Sequence, residues 1–158
     1  MPGFRLNPVQ YIKPDGIDSE YFMLDKTLTD GSPILVVSFT GSCPDGSAGS
    51  KHAAYVSYAA MCGLHAFSPW AIVLDFRNLD YRWGNSMYGV FQDISRFMDA
   101  DIDPGAPPFP IISVISDRSV GFTSLLLPSN DEQSNTLIHD INTGIESAIR
   151  AAKEWIDA

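Results

Sequence analysis

Three short apolar runs constrain this chain more than any other feature: ILVVSF at 34–39, AIVLDF at 71–76 and IISVI at 111–115. Each is continuous rather than alternating and rich in branched aliphatic residues, the pattern of a strand covered on both faces. Stretches with helical spacing lie between them. Parallel neighbours need a crossover long enough to hold a helix, so this alternation predicts an α/β fold, a mainly parallel sheet flanked by helices. The length, 158 residues, suits one domain over 1–158 with its core at 34–158.

The predicted elements follow in order. A helix over 51–67 turns Ala53, Val56, Ala59, Ala60 and Gly63 towards the sheet and stops at Ser68-Pro69. After the second strand, Met87, Val90, Phe91, Ile94, Phe97 and Met98 recur in steps that place them on one helix face. A loop over 99–110 holds four prolines and three aspartates. Beyond the third strand, the pattern gives a short helix over 119–127 stopped by Pro128, then a strand over 136–139. The capping-box pattern Thr143-x-x-Glu146 opens a last helix that buries Ile145, Ala148, Ile149, Ala152 and Ile156, with Trp155 at its margin. Residues 1–33 carry Pro2, Pro8, Pro14 and Pro33 with two Asp-Gly turns, and 4–12 and 20–27 read as strands of an N-terminal edge hairpin or as an arm.

Charge narrows the function classes. A net charge of -9 disfavours nonspecific binding to nucleic acid or anionic membrane, which needs clustered Lys and Arg. No apolar run of about 20 residues spans a bilayer, and no apolar leader segment is present, so the expected location is cytoplasmic. Cys43 and Cys62 fit a reducing compartment and make no disulfide framework. Such a surface suits another protein as partner, a basic one in particular; a homo-oligomer is also compatible.

Four stretches carry site-like chemistry, each beside a plainer role. In the loop over 41–51, Gly41 and Gly46 have phosphate-loop spacing, but Ser47 stands where the lysine belongs and Lys51 comes four residues late, so an ordinary connection accounts for it and no cofactor is expected. Cys43, His52, Cys62 and His65 are zinc-type residues at spacings that match no standard site, so no metal is expected either. Gly84-Asn-Ser86-Met-Tyr-Gly89 stands at a strand-to-helix junction, where Ser86 with His139 and Asp117 (or Asp75) would form a hydrolase triad. A helix cap by Asn85 or Ser86 explains the same residues more simply. Asp99, Asp101 and Asp103 read as a solvated acidic loop, since the ligands that would complete a calcium loop are missing. The triplet Tyr81-Arg82-Trp83, with Ser86 and Tyr88, reads as a protein-contact patch, because aromatic and Arg side chains are favoured interface anchors; the plainer role folds Trp83 over the core.

The segment from Leu74 to Met87 with its amphipathic helix resembles the centre of a STAS domain, the anti-sigma factor antagonist fold. Residues 111–116, 120–127 and 137–139 and the Ala-rich last helix are similar in order and length, so the resemblance spans about 34–156. Trp83, Gly84 and Asn85 occupy the family's Asp-Ser-Ser positions, so the phosphorylatable serine is absent or displaced to Ser86. This resemblance implies a partner-binding regulator without the usual phospho-switch. A second resemblance is to the Clp protease and crotonase superfamily, through 110–115 followed by 119–127 and Leu137-Ile-His139. Gly121 falls at its nucleophile position, which implies a degenerate, non-catalytic member.

The expectation is therefore a small acidic, non-catalytic regulator that binds another protein, of STAS-like antagonist or immunity and antitoxin type. The alternatives are a Clp/crotonase-like serine hydrolase or acyl-transfer enzyme, and a nucleotide-binding domain.

Overall fold

The structure, a computed structural model, describes residues 3–125 and 135–158. Among these residues five strands form one sheet in chain order: β1 (Ile17–Met23), β2 (Ile34–Ser42), β3 (Ala71–Asp80), β4 (Ile111–Val114) and β5 (Asn135–Ile138). β1 pairs antiparallel with β2, and the other pairings are parallel. The helices are α1 (Ser50–Phe67), α2 (Tyr88–Met98) and α3 (Ile141–Ile156), with 3-10 segments at Gly46–Gly49 and Asp117–Ser124.

The parallel strands advance across the sheet in one direction. Right-handed crossovers then put every connecting helix on the same face. Accordingly α1, α2 and the second 3-10 segment share one core with Leu35, Val37, Ile72, Leu74, Phe76 and Ile111. The alternate strand residues Ile34, Val36, Val73, Ile112 and Val114 face the other way, onto Ala148 and Ala152 of α3. Both faces of β2, β3 and β4 are thus covered, which explains their continuous apolar runs. Gly144 lets α3 approach closely, since a Cβ there would lie 2.7 Å from Val114 Cγ2.

Local chemistry moves several boundaries from their predicted places. β3 continues to Asp80, four residues past the apolar run. Phe97 is exposed and tilts against His65 rather than entering the core. α3 starts before Thr143: Asp140 is its N-cap, and its carboxylate accepts from Thr143 N and Oγ1, both at 2.9 Å. The predicted Thr143–Glu146 capping box is therefore not used. Asp140 stays ionised below the usual carboxylate range because of these bonds, so this cap holds at neutral pH and is lost only as acid titrates it. The edge hairpin is made by β1 with β2; residues 4–12 form no strand. Leu126, Leu127 and the predicted stop at Pro128 lie outside the described residues.

Gly41 shows how tightly the β1–β2 edge is built. It adopts φ +109°, and an added Cβ would run into the Gly16 carbonyl. Replacing it combines backbone strain with a backbone clash, so Gly41→Ala should cost about 3 kcal/mol in urea unfolding. A cost under about 0.5 kcal/mol, the scale of a neutral surface change, would contradict this packing.

Candidate functional site

The site is built where β2, β3 and β4 end, and an irregularity in β3 sets it up. Ser38 pairs with Asp75 but Thr40 pairs with Asn78, so β3 holds one extra residue there. A bulge inverts the strand's alternation. Before it, Ile72, Leu74 and Phe76 face the α1/α2 core; after it, the odd-numbered Leu79 and Tyr81 do so instead.

The buried Asp75 carboxylate clamps the bulge. It accepts from Arg77 N at 3.2 Å, from Arg77 Nε and Nη2 at 2.9 and 3.0 Å, and from Ser38 Oγ at 3.1 Å. Its partnership raises the Arg77 pKa. The sequence carries a signal for this clamp, because a carboxylate inside an apolar strand requires a partner and Arg77 stands two residues away. Asp75 is thereby committed to structure, not to a triad.

Beyond β3, Tyr81 is fully buried and its hydroxyl donates to the Gly84 carbonyl at 2.6 Å. It therefore leaves the contact patch expected of it and becomes core, tilted against Phe122. Arg82 and Trp83 emerge into solvent instead; Trp83 is 61% exposed and Tyr88 is 45% exposed. The indole lies over Gly46, where a Cβ would come within 3.2 Å of the ring. The loops after β2 and β3 are joined by Cys43 N donating to Asp80 O at 2.8 Å and Gly46 N donating to Trp83 O at 3.3 Å. On the third side, Gly121 N donates to Tyr81 O at 2.9 Å, and Arg118 pairs with Asp80 at 2.7 Å. Exposed as it is, that pair adds little stability, but it fixes the loop after β4 beside Arg82. Ser116 and Ser119 form a capping box that opens the second 3-10 segment.

Between α1 and α2, directly beside this surface, runs a shallow cavity of about 170 Å³. Ala53, Ala54, Gly89 and Val90 line it together with Ser50, Ser86 and the pair in which Ser57 donates to Asp93 at 2.5 Å.

Ser86 is not a helix cap. The chain is already helical at Met87, the N-cap, which makes no side-chain bond. Ser86 Oγ turns inward, is buried, and has no hydrogen-bond partner of good geometry among the described residues. It lies close enough to the Cys43 thiol and Tyr81 hydroxyl to draw both pKa values down slightly. Burial dominates, however, raising Tyr81 and pushing Cys43 up to about 11. No hydrogen bond joins Ser86 to His139 or Asp117 among the described residues. His139 and Asp117 are both exposed, at the end of β5 and the start of the second 3-10 segment.

The glycine loop is likewise occupied with internal work. Gly41 belongs to β2, the Gly46 amide is spent on Trp83, and exposed Lys51 faces a recess under residues 11–15. Among the described residues no three His, Cys, Asp or Glu side chains gather as a metal site, and Cys43 is buried while Cys62 is exposed. No helix among those residues is long and apolar enough to cross a membrane.

No protein-family description and no curated protein matches the chain. Among solved structures, an anti-sigma factor antagonist from Mycobacterium paratuberculosis matches with a TM-score of 0.54 at 14% identity, over 85% of this chain and 96% of that one. The likeness is one of fold, and the α/β architecture here is STAS-like.

Two measurements check the site's interior. Ser86→Ala should leave the thermal midpoint unchanged or raise it, since it removes an unsatisfied buried hydroxyl; a loss of about 1 kcal/mol would restore the capping role. At pH 7.5 a thiol reagent should label one cysteine, Cys62, in the native protein and the second only on unfolding. Rapid labelling of both would contradict the burial and raised pKa of Cys43.

Proposed function

We propose that this protein is a non-catalytic regulator that binds another protein through the surface formed by Arg82, Trp83 and Tyr88 beside the α1/α2 cavity. The observation that carries this reading is the exposed indole of Trp83. It is held by a neighbouring backbone in a fixed place, at the strand ends where the loops after β2, β3 and β4 converge. A large aromatic surface fixed in this way loses little freedom on binding, which is what interface anchors require. The STAS-like fold supports the same direction, since the matched structure is an anti-sigma factor antagonist.

Control by phosphorylation at Ser86 is not part of this proposal, because that hydroxyl points into the protein. The favoured partner is basic. The chain carries a net charge of -9, and exposed Asp45 and Asp93 flank the surface. Complementary charge would speed encounter and make binding weaken with salt.

Immobilised wild-type and Trp83→Ala protein should be compared for capture from a lysate of the source organism at low and high salt. The expected result is a protein retained by the wild type at low salt, released at high salt, and lost or reduced about tenfold or more with Trp83→Ala, whose thermal midpoint is unchanged. Equal retention by both forms would remove Trp83 from the contact, and unfolding of the variant would assign Trp83 to the core instead.

A further inference from the structure

The leading segment and the sheet edge next to it are each incomplete, and they are complementary. Residues 3–12 run without regular structure, and among the described residues nothing hydrogen-bonds to them. Their apolar side chains are almost wholly in water: Phe4, Leu6 and Val9 are 101%, 91% and 95% exposed. A segment of this composition has no reason to stay solvated if an acceptor exists.

β1 offers one. Leu24 N donates to Ile34 O and Ser42 N to Gly16 O, so the even-numbered residues of β1 bond to β2. The odd-numbered residues point their backbone groups away from the sheet. Lys13 Nζ already takes the Ile17 carbonyl. Among the described residues nothing bonds to the amides and carbonyls of Ser19, Tyr21 and Met23 along the edge, and Tyr21, Phe22 and Met23 are partly exposed on its two sides. An unshielded edge of this kind is a template for strand addition.

The segment's own β1 is not the acceptor in this structure. Asp15 O is held by His52 Nε2 at 2.9 Å, and Tyr11 stacks on Tyr58 of α1 with ring centroids 4.7 Å apart. These contacts lead the chain over α1 and leave residues 4–9 projecting beyond it.

We propose that residues 4–9 pair as an antiparallel strand with the free edge of β1 in a second copy of this chain, reciprocally, to give a two-fold dimer. Pro8 fixes which residues face inward. Proline cannot donate, so it must lie in the outward row with Phe4 and Leu6. In the one antiparallel register that uses all three free residues of β1, Arg5, Asn7 and Val9 supply backbone groups to Met23, Tyr21 and Ser19. Leu6 comes opposite Phe22 in a non-hydrogen-bonded pair, the closest kind of cross-strand neighbour.

That pair gives the test. In the full chain with Cys62→Ser, Leu6→Cys and Phe22→Cys are introduced together and the protein is oxidised at micromolar concentration. A second protein carries Leu6→Cys with Ile102→Cys, an exposed position in the loop leading into β4, a strand separated from β1 by β2 and β3. Phe22 and Leu6 are both accessible, so neither change removes core. The expected result is a disulfide-linked dimer from the first protein and none above background from the second, with the unsubstituted chain sedimenting as a dimer. A cross-linked monomer would show the segment folding back on its own β1 and overturn the proposal. Free thiols, equal cross-linking of the two proteins, or a strictly monomeric unsubstituted chain would overturn it as well.

Discussion

Much of this molecule depends on an aromatic column under the ends of the parallel strands. Phe122 stacks on Phe76 with centroids 4.0 Å apart, Phe76 stacks on Phe39 at 5.4 Å, and Tyr81 and Phe91 close on Phe122 from two further sides. These rings come from β2, β3, α2 and the segment after β4, so one cluster ties four separate parts of the chain. The contacts are dispersive and hydrophobic, in stacked, tilted and edge-on arrangements. Only because this column is filled from below can the loops above it present side chains to solvent in fixed positions.

The β3 bulge is what allows a single strand to serve both purposes. Before it, alternate residues serve the two cores. After it, Leu79 and Tyr81 rejoin the α1/α2 side and Arg82 and Trp83 are released outward. The Asp75–Arg77 pair holds that geometry. A largely buried carboxylate is costly unless satisfied, and this one receives four hydrogen bonds. Its cost is offset locally, and its gain is a defined strand shape.

The parts of the fold legible in the sequence are those with a strong period. The three buried strands and the helices at 50–67, 88–98 and 141–156 follow from apolar runs and steps of three and four. What escapes such reading is set by contacts distant in sequence. The bulge depends on pairing between β2 and β3, and the burial of the Ser86 hydroxyl is a tertiary outcome that its local sequence does not carry. Tyr81, Arg82 and Trp83 look alike as a triplet of exposed anchors, yet one lies at 0% exposure and its neighbours face solvent. Strand-end parity separates Tyr81 from Arg82, the bend at Trp83 turns the indole outward, and a one-residue bulge is invisible to composition. The cap of α3 is ambiguous for a different reason: Asp140 and Thr143 are both good capping residues, and the earlier one prevails because it reaches the later one's amide.

The order of the strands across the sheet is also their order along the chain. No strand has to be inserted between two that are already paired. Each new βα unit, as it leaves the ribosome, meets a finished edge and only has to add to it, so loop closures stay short and cooperative growth can run from one side to the other. Synthesis and assembly can therefore proceed in the same direction, and the face of β2, β3 and β4 opposite α1 and α2 is closed only when α3 docks on it.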